Sequence, residues 1–387
     1  MSMRTRNKYA ADGVDVEEES LFSRYAAAIC RASYKNSPYV SVQDYSARNF
    51  RGPRPFTLQG LPRGVSIEAT TDGIGTKGIV IDAAKTHEKA AYDIIAMTAS
   101  DITRFGGLPL VFVNVLDTVS VGEVGDAVST TYKSVLKGLG EVAKKGRIVI
   151  LKGETAQMGV CLGSEIAGSK TKLNWSGTML GAYHKSKMIT GDTLAPGQVI
   201  IALKENGFRC NGISSLRKAL ALKFGKEWWR NPRARKSIKE AATPSVLYDT
   251  YLATLNGWFS PGFRREVRVH GIVHLSGGAM REKLGNDILF SHGLSAVIDK
   301  LWEPPRIMRQ CAEWRSLTDE EFYETWNGGQ GILLIVDTKD ASRCLKIAKK
   351  CSIRARVAGR ITKEGHPSVR IVSQLTKGKE VIYKKPA

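Results

Sequence analysis

Apolar residues recur along this chain in two rhythms, and the rhythm changes with position. Leu21, Phe22, Tyr25, Ala26 and Ile29 sit at helical spacing and predict a helix after an arm covering residues 1–20. Residues 35–65 carry Pro38, Pro53, Pro55 and Pro62 among scattered polar residues and read as loop. Order then begins. Strands are expected at Val65–Thr70, Leu110–Leu116, Arg147–Leu151 and Ser176–Tyr183, with helices at Thr86–Phe105 and Val121–Lys144 between them. In the second of those helices Val128, Tyr132, Val135, Leu139 and Val142 stay in register on one face.

A turn-rich stretch, Thr190–Gly197, with Gly191-Asp192 and Pro196-Gly197, marks a boundary. Beyond it the same grammar restarts. Strands are expected at Val199–Leu203, Gly271–Leu275 and Ile332–Val336, with helices from Ile213, from Gly278 and over Ser342–Lys350. Two short strands close the chain near Arg356 and Val369. Alternating strands and helices make the class mixed α/β. The expected division is an arm, helix and irregular loop over 1–64, an α/β domain over 65–190 and a second over 191–387, sizes ordinary for domains.

Composition changes this picture little: 42% hydrophobic and 25% charged residues are globular values. No apolar run approaches the roughly 18 residues of a membrane helix, and Met1–Tyr9 is polar and basic, unlike a secretory signal. The six cysteines, at 30, 161, 210, 311, 344 and 351, form no CxxC pair or metal-finger spacing and read as reduced thiols of a cytoplasmic protein. Charge changes it more. Lys+Arg outnumber Asp+Glu by 58 to 37, a net +21 that attracts anions such as nucleotides, sugar phosphates or nucleic acid. The densest basic stretch, Lys223–Lys239, includes Trp228 and Trp229; without a nucleic-acid motif beside it, it reads first as a solvated surface.

Six short segments carry candidate chemistry. After the strand at Val65–Thr70 comes Thr71-Asp72-Gly73-Ile74-Gly75-Thr76-Lys77. Gly73 and Gly75 admit close backbone approach, Asp72 suits Mg²⁺, and Thr76 and Lys77 suit phosphate oxygens. The GxxxxGK[ST] spacing of a Walker A loop is absent. Asp101 lies in an apolar helix that stops at Gly106-Gly107-Leu108-Pro109, with Asp93 two turns earlier. Glu154, in Lys152-Gly153-Glu154-Thr155-Ala156, is expected at the carboxyl end of a strand, where α/β folds bind ligands. Arg209, within Gly207-Phe208-Arg209-Cys210-Asn211-Gly212, could clamp an anion. His274, before Ser276-Gly277-Gly278, could exchange protons or donate to phosphate. Asn327-Gly328-Gly329-Gln330-Gly331 is a further glycine-rich turn. Singly, each is equally well a plain turn or a satisfied core residue.

In order and spacing, these segments together resemble the aminoimidazole ribonucleotide synthetase (phosphoribosylformylglycinamidine cyclo-ligase) family over nearly the whole chain. Tyr9 with Gly13-Val14-Asp15 resembles its YxxxGVD, Thr71–Lys77 its TDGxGTK, and Asp101–Pro109 the superfamily's D-x4-G-[AG]-x-P. Gly153–Met158 resembles GGETAEM, Asn211-Gly212 with Arg217-Lys218 resembles HSNGxSLVRK, His274–Gly278 resembles HLTGGG, and Trp326–Gly331 resembles FNxGxGM. The resemblance implies a two-domain fold whose N-terminal strands close a barrel across a homodimer. It implies ATP-dependent closure of formylglycinamidine ribonucleotide to aminoimidazole ribonucleotide in purine biosynthesis, a ligase reaction releasing ADP and phosphate. It implies that Asp72, Asp101 and Glu154 hold Mg²⁺ with ATP, that Gly73, Gly75, Thr76 and Lys77 line the phosphates, and that Asn211, His274 and Arg209 shape the reacting site.

The chain also departs from the family pattern. The glycine-rich GGFGG segment is missing from Tyr39–Leu61, which carries Arg48, Arg51 and Arg54 instead. Arg209 and Cys210 replace the family's His and Ser, Gln157 a Glu, and Lys152 a Gly. An arginine exchanges no protons near neutral pH. These changes bear on the acceptor, and leave two alternatives: a sister enzyme with another acceptor, or a non-catalytic descendant binding nucleotide or nucleic acid through its basic surface.

Overall fold

A computed structural model describes residues 16–46 and 52–386. The YxxxGVD segment, residues 1–15 of the expected arm, and Arg48 and Arg51 lie outside the described residues. Among those described, the chain separates into two compact units. One comprises the chain to Leu61, Ala69–Thr98 and Pro109–Leu180; the other comprises Pro62–Glu68, Ala99–Leu108 and everything from Gly181. The division therefore falls before the Thr190–Gly197 turn, and the N-terminal region joins the first unit.

The first unit opens with helix α1 (Val16–Ser33), which starts inside the expected arm. Strands β1 (Val40–Val42) and β2 (Phe56–Leu58) then pair antiparallel, so the proline-rich stretch is a short ladder rather than plain loop. Its four-stranded sheet has the order β3-β6-β4-β5, from β3 (Ser66–Gly73), β4 (Leu108–Thr118), β5 (Val149–Gln157) and β6 (Leu173–Tyr183). Helices α2 (Lys77–Ala84) and α4 (Ala127–Gly146) complete it with α3 (Ala90–Thr103) as far as Thr98; the end of α3, from Ala99, belongs to the second unit. α4 starts later than its periodicity suggests because Gly122 and Gly125 hold positive φ and Asp126 caps the helix, accepting from the Ser129 amide at 2.7 Å. Its buried Tyr132, Val135, Leu139 and Val142 are the predicted face.

The second unit is built on a seven-stranded sheet, order β13-β12-β9-β11-β7-β10-β8. Its strands are β7 (Val199–Lys204), β8 (Val269–His274), β9 (Ser295–Ile298), β10 (Gln330–Val336), β11 (Ala355–Thr362), β12 (Ser368–Val372) and β13 (Glu380–Lys384). Its neighbouring strands pair antiparallel except β12 with β9, which run parallel. Helices α5 (Ile213–Phe224), α6 (Arg235–Ala241), α7 (Asp249–Leu255), α8 (Arg306–Trp314), α9 (Asp319–Thr325) and α10 (Ala341–Lys350) surround it, and Met280–Leu289 is a π-helix. β8 and β10 are buried along their whole length, and in β10 this shows in the sequence as the unbroken apolar run Ile332–Val336. Ile201 and Leu203 of β7 and Ile332, Leu334 and Val336 of β10 pack with Tyr251, Leu252 and Leu255 of α7 and Cys344 and Ala348 of α10. Each such fully buried aliphatic side chain contributes about 1.5–3 kcal/mol.

Candidate functional site

In the first unit, the Asp72–Lys77 segment is a strand end running into a helix start. Asp72 closes β3, and its carboxylate accepts from the Gly73 amide at 2.7 Å. A side chain on Gly73 would meet the Trp175 carbonyl at 3.1 Å, so glycine there keeps β3 and β6 close. Gly75 sits at φ 52 with open space around it. Thr76, at the N-cap of α2, is exposed and makes no side-chain capping bond. Exposed backbone and hydroxyl at a helix start suit an anion.

Lys77 does not join that surface. It is wholly buried, and its ammonium lies 2.6 Å from Asp93, itself 1% exposed. Lys77 was expected to line a phosphate; here its ammonium sits on Asp93 inside the first unit, tying α2 to α3. Asp93 is likewise no part of an exposed acidic stripe.

Glu154 is exposed but lies within β5, opposite Val115, not past the strand's end. β5 and β3 are the two edges of the four-stranded sheet. At about 4.8 Å per strand, the edges that carry Asp72 and Glu154 are roughly 14 Å apart. Among the described residues, no group of three or more His, Cys, Asp or Glu is placed to hold one ion. The carboxylates expected to share Mg²⁺ are thus not brought together within this sheet.

The second unit gathers what the sequence left scattered. The Gly207–Gly212, His274–Gly278 and Trp326–Gly331 segments lie at the same end of three adjacent strands: the carboxyl ends of β7 and β8 and the amino end of β10. They hold one another. Asn327 Nδ2 donates to the Gly207 carbonyl at 2.9 Å, Trp326 Nε1 to the Gly212 carbonyl at 3.0 Å, and the Leu275 amide to the Gly331 carbonyl at 3.1 Å. Gly212, at φ 67, has no room for a Cβ, which would meet the Trp326 ring at 2.4 Å. Asn211 Nδ2 is buried with no hydrogen-bond partner among the described residues. A native structure rarely leaves such a donor unused unless something else satisfies it.

Arg209 stands between them but faces inward. It is wholly buried at φ 56, pairs with Glu205 at 3.1 Å, donates to the Val246 carbonyl and to Ser100 Oγ, and lies over the Tyr248 ring. An arginine so enclosed is no clamp for a diffusing anion. It braces the Gly207–Gly212 turn against Ser100 of α3, the residue before Asp101. Glu205, Ser100, Tyr248 and Asp249 form this inner layer. Sequence reasoning missed them, although Glu205 lies only four residues before Arg209. Asp249 accepts from Thr103 Oγ1 at 2.8 Å, and burial lifts its carboxyl to about 6.

His274 closes β8 beside a cavity of about 310 Å³ that Arg104, Phe105, Ile189 and Lys283 also line. Among the described residues its Nε2 is buried without a hydrogen-bond partner, as is Nε of Arg104. Burial, followed by the charges of Arg209, Arg104 and Lys283, holds the imidazole well below its usual pKa. It is a neutral ring in a positive field. Lys283 is paired with Asp287 at 3.0 Å, and Arg104 lies 3.6 Å from Asp101. Ala279, next to Gly278, holds φ 33, a conformation a non-glycine residue adopts only under constraint.

The Lys223–Lys239 stretch is a solvated helical surface. Trp228 is buried, and Arg230 pairs with Glu227. Among the described residues, no helix is long and apolar enough to cross a membrane. Among the described residues no disulfide joins any of the cysteines.

Comparison with known proteins adds the following. Residues 59–183 match the family model of the AIR synthase related protein N-terminal domain, and residues 195–372 match its C-terminal counterpart. A phosphoribosylformylglycinamidine cyclo-ligase of Methanocaldococcus jannaschii is 30% identical over 305 residues, covering 76% of this chain and 77% of that protein. One from Methanococcus vannielii is 28% identical over 91% of each chain. In three dimensions the chain resembles hydrogenase maturation protein HypE, solved in complex with ATP, with a TM-score of 0.55 at 14% identity over 88% of this chain and 89% of that one. It also resembles a thiamine-monophosphate kinase of Stenotrophomonas maltophilia, TM-score 0.52 at 16% identity, covering 89% of this chain and 95% of that one. At such identities these two likenesses speak for the fold alone.

Proposed function

The chain belongs to the AIR synthase related family, in which its relatives are phosphoribosylformylglycinamidine cyclo-ligases, and from that premise we propose that it closes formylglycinamidine ribonucleotide to aminoimidazole ribonucleotide at the expense of ATP. The observation that carries the site assignment is the convergence of the Gly207–Gly212, His274–Gly278 and Trp326–Gly331 turns, with Asn211 Nδ2 and His274 Nε2 both buried and unpartnered.

The reaction takes the formyl oxygen onto the γ-phosphorus and expels ADP. A substrate nitrogen then attacks the activated carbon, a proton leaves that nitrogen, and phosphate departs with the former formyl oxygen. Such chemistry depends on positioning and charge neutralisation more than on covalent help from the protein. Gly73, Gly75 and Thr76 receive nucleotide phosphates at the start of α2. Asp72, in the first unit, and Asp101, in the second, are the carboxylates that would each take Mg²⁺ carried by a nucleotide. One or two carboxylates are what Mg²⁺ ordinarily takes from a protein, so the dispersed carboxylates fit the ion when the nucleotide supplies its remaining ligands. The chemistry Mg²⁺ would supply there is neutralisation of charge on the phosphates. Lys77 keeps α2 in place. Asn211 and neutral His274 donate to the acceptor, and the cavity between Arg104 and Lys283 suits its phosphate. Arg209, enclosed beside Glu205, supports the turn and does not bear on the acceptor. The His-to-Arg difference is therefore compatible with the family's substrate.

A homodimer follows the same reading. β3 and β5 are open edges of the first unit's sheet, β3 is mostly exposed, and Val115, Met158 and Val160 present apolar surface. Closing two such sheets edge to edge would cover these strands, and would bring Glu154 toward a nucleotide that one sheet alone cannot offer it. Free cysteines accord with a cytoplasmic enzyme.

The test is ADP release by the purified chain with Mg²⁺·ATP, with and without formylglycinamidine ribonucleotide, while aminoimidazole ribonucleotide is followed colorimetrically. ADP and the aminoimidazole rising together is the expected result. ATP binding without product would move the assignment to another acceptor.

A further inference from the structure

One cluster of charge in the second unit has no part in that chemistry. Trp302 lies across β7 and β11, its indole N–H donating to the Ala202 carbonyl at 3.0 Å. Three cations meet its ring: the Arg356 guanidinium carbon at 3.6 Å from the centroid, Arg354 at 5.1 Å and Lys204 at 5.5 Å. The sheet register explains the gathering. Arg356 pairs with Ala202, and the Lys204 amide donates to the Arg354 carbonyl at 2.8 Å. Residues two apart in a strand share a face, so all three cations lie opposite the face that Ile201, Leu203 and Val357 turn to the core.

None of the three has an ion-pair partner among the described residues. Glu303, next to Trp302, offsets part of the charge on Lys204 and Arg356 but pairs with Lys377 at 3.4 Å. A tryptophan face readily takes one cation. Three on one ring, unpaired, repel one another: after burial, Arg354 and Arg356 are what hold the Lys204 ammonium below its usual pKa, and Arg354 does the same to Arg356. Such a cluster is relieved by an anion with several oxygens. Two guanidinium forks and an ammonium match neighbouring phosphate groups. The ring itself is 9% exposed and already covered, so no base can stack on it, and recognition rests on charge alone.

We propose that Lys204, Arg354 and Arg356 on Trp302 form a second anion site, which takes a compact inorganic oligophosphate of two or three linked phosphates. The site is wired to one of the three turns. The Trp302 amide donates to Gln330 Oε1 at 2.7 Å, and Gln330 Nε2 donates back to the Trp302 carbonyl at 3.1 Å and to that of Gly328. An anion that shifts Trp302 therefore acts on the Asn327–Gly331 turn.

Calorimetric titration of the full chain with inorganic tripolyphosphate, in the presence of saturating Mg²⁺·ATP, tests this. The expected result is one binding event that persists beside ATP, weakens at least tenfold in Arg354→Gln/Arg356→Gln, and weakens less in Lys204→Gln. Removing like charges relieves repulsion, so both variants should melt no lower than the parent, and a distant pair, Lys236→Gln/Lys239→Gln, controls for net charge. Four outcomes would overturn the proposal: displacement of tripolyphosphate by Mg²⁺·ATP, equal binding by the variants, an equal loss in the distant control, or tighter binding of a single-stranded oligonucleotide that suffers the same loss in the variants. Because no turnover is read, failure of the cyclo-ligase reading would leave this result unaffected.

Discussion

The corner between β3 and α2 in the first unit and the three-turn cluster in the second use the same device with different consequences. Each carries a motif cation that looks from sequence like a phosphate ligand, and each folds it inward against a carboxylate: Lys77 on Asp93 at 2.6 Å, Arg209 on Glu205 at 3.1 Å. In the first unit the pair joins two helices and leaves an exposed shelf of Gly75 and Thr76. In the second it stiffens a turn whose Asn211 keeps an unsatisfied donor. The lesson is that a motif cation can serve a ligand site by shaping it rather than by touching the ligand, and burial distinguishes the two roles.

The largest effect that separates the two pairs is on stability. Removing one partner of a buried ion pair strands the other, at about 3–5 kcal/mol. A stranded lysine can shed its proton, and an arginine cannot. Glu205→Ala should therefore cost the full amount in urea unfolding, and Asp93→Ala clearly less. Equal costs, or a Glu205→Ala loss under about 1 kcal/mol, would mean that Arg209 finds water or another partner and that its enclosure is not what holds the turn. Next in size is catalysis. Asp101→Asn removes a proposed magnesium ligand without changing side-chain shape. A lost metal interaction worth several kcal/mol lowers ADP formation at least about a hundredfold with an unchanged melting curve. Unaltered turnover would remove Asp101 from the metal site.

How far the sequence went follows the same line. Elements whose periodicity reflects burial on one face, such as α4 with Tyr132, Val135 and Leu139, were legible to within a few residues, because one-sided burial is written in spacing. The β1–β2 ladder was not, since three-residue strands among prolines leave no period to read. Glu154 was placed past a strand end because apolar residues stop at Leu151, whereas β5 continues through exposed positions at a sheet edge. Among site residues, the three glycine-rich turns were each visible and their convergence was not. Only the antiparallel order β7-β10-β8 puts two carboxyl ends beside one amino end. Nor could sequence tell an inward Arg209 from an outward one, since that depends on Val246, Tyr248 and Ser100 arriving from other elements.

The smallest of the expected effects concerns the second unit's buried acid and would sharpen the contrast with the paired carboxylates Asp93 and Glu205. Asp249 is held by a single side-chain donor, Thr103, and burial raises its carboxyl from 3.8 to about 6. The folded protein therefore binds a proton between these values that the unfolded chain has released. Stability from this group is full below about 4 and is lost as pH rises through about 6, by roughly 2–3 kcal/mol at about 1.4 kcal/mol per unit. Asp249→Asn keeps a side chain that can accept from Thr103 and cannot ionise. Its unfolding free energy should exceed the parent's at pH 7.5 and converge on it only below about pH 4. A parent and variant that run parallel across that range would mean that the nearby Arg209 charge already compensates Asp249, making it a third member of the Glu205–Arg209 pair rather than an isolated acid.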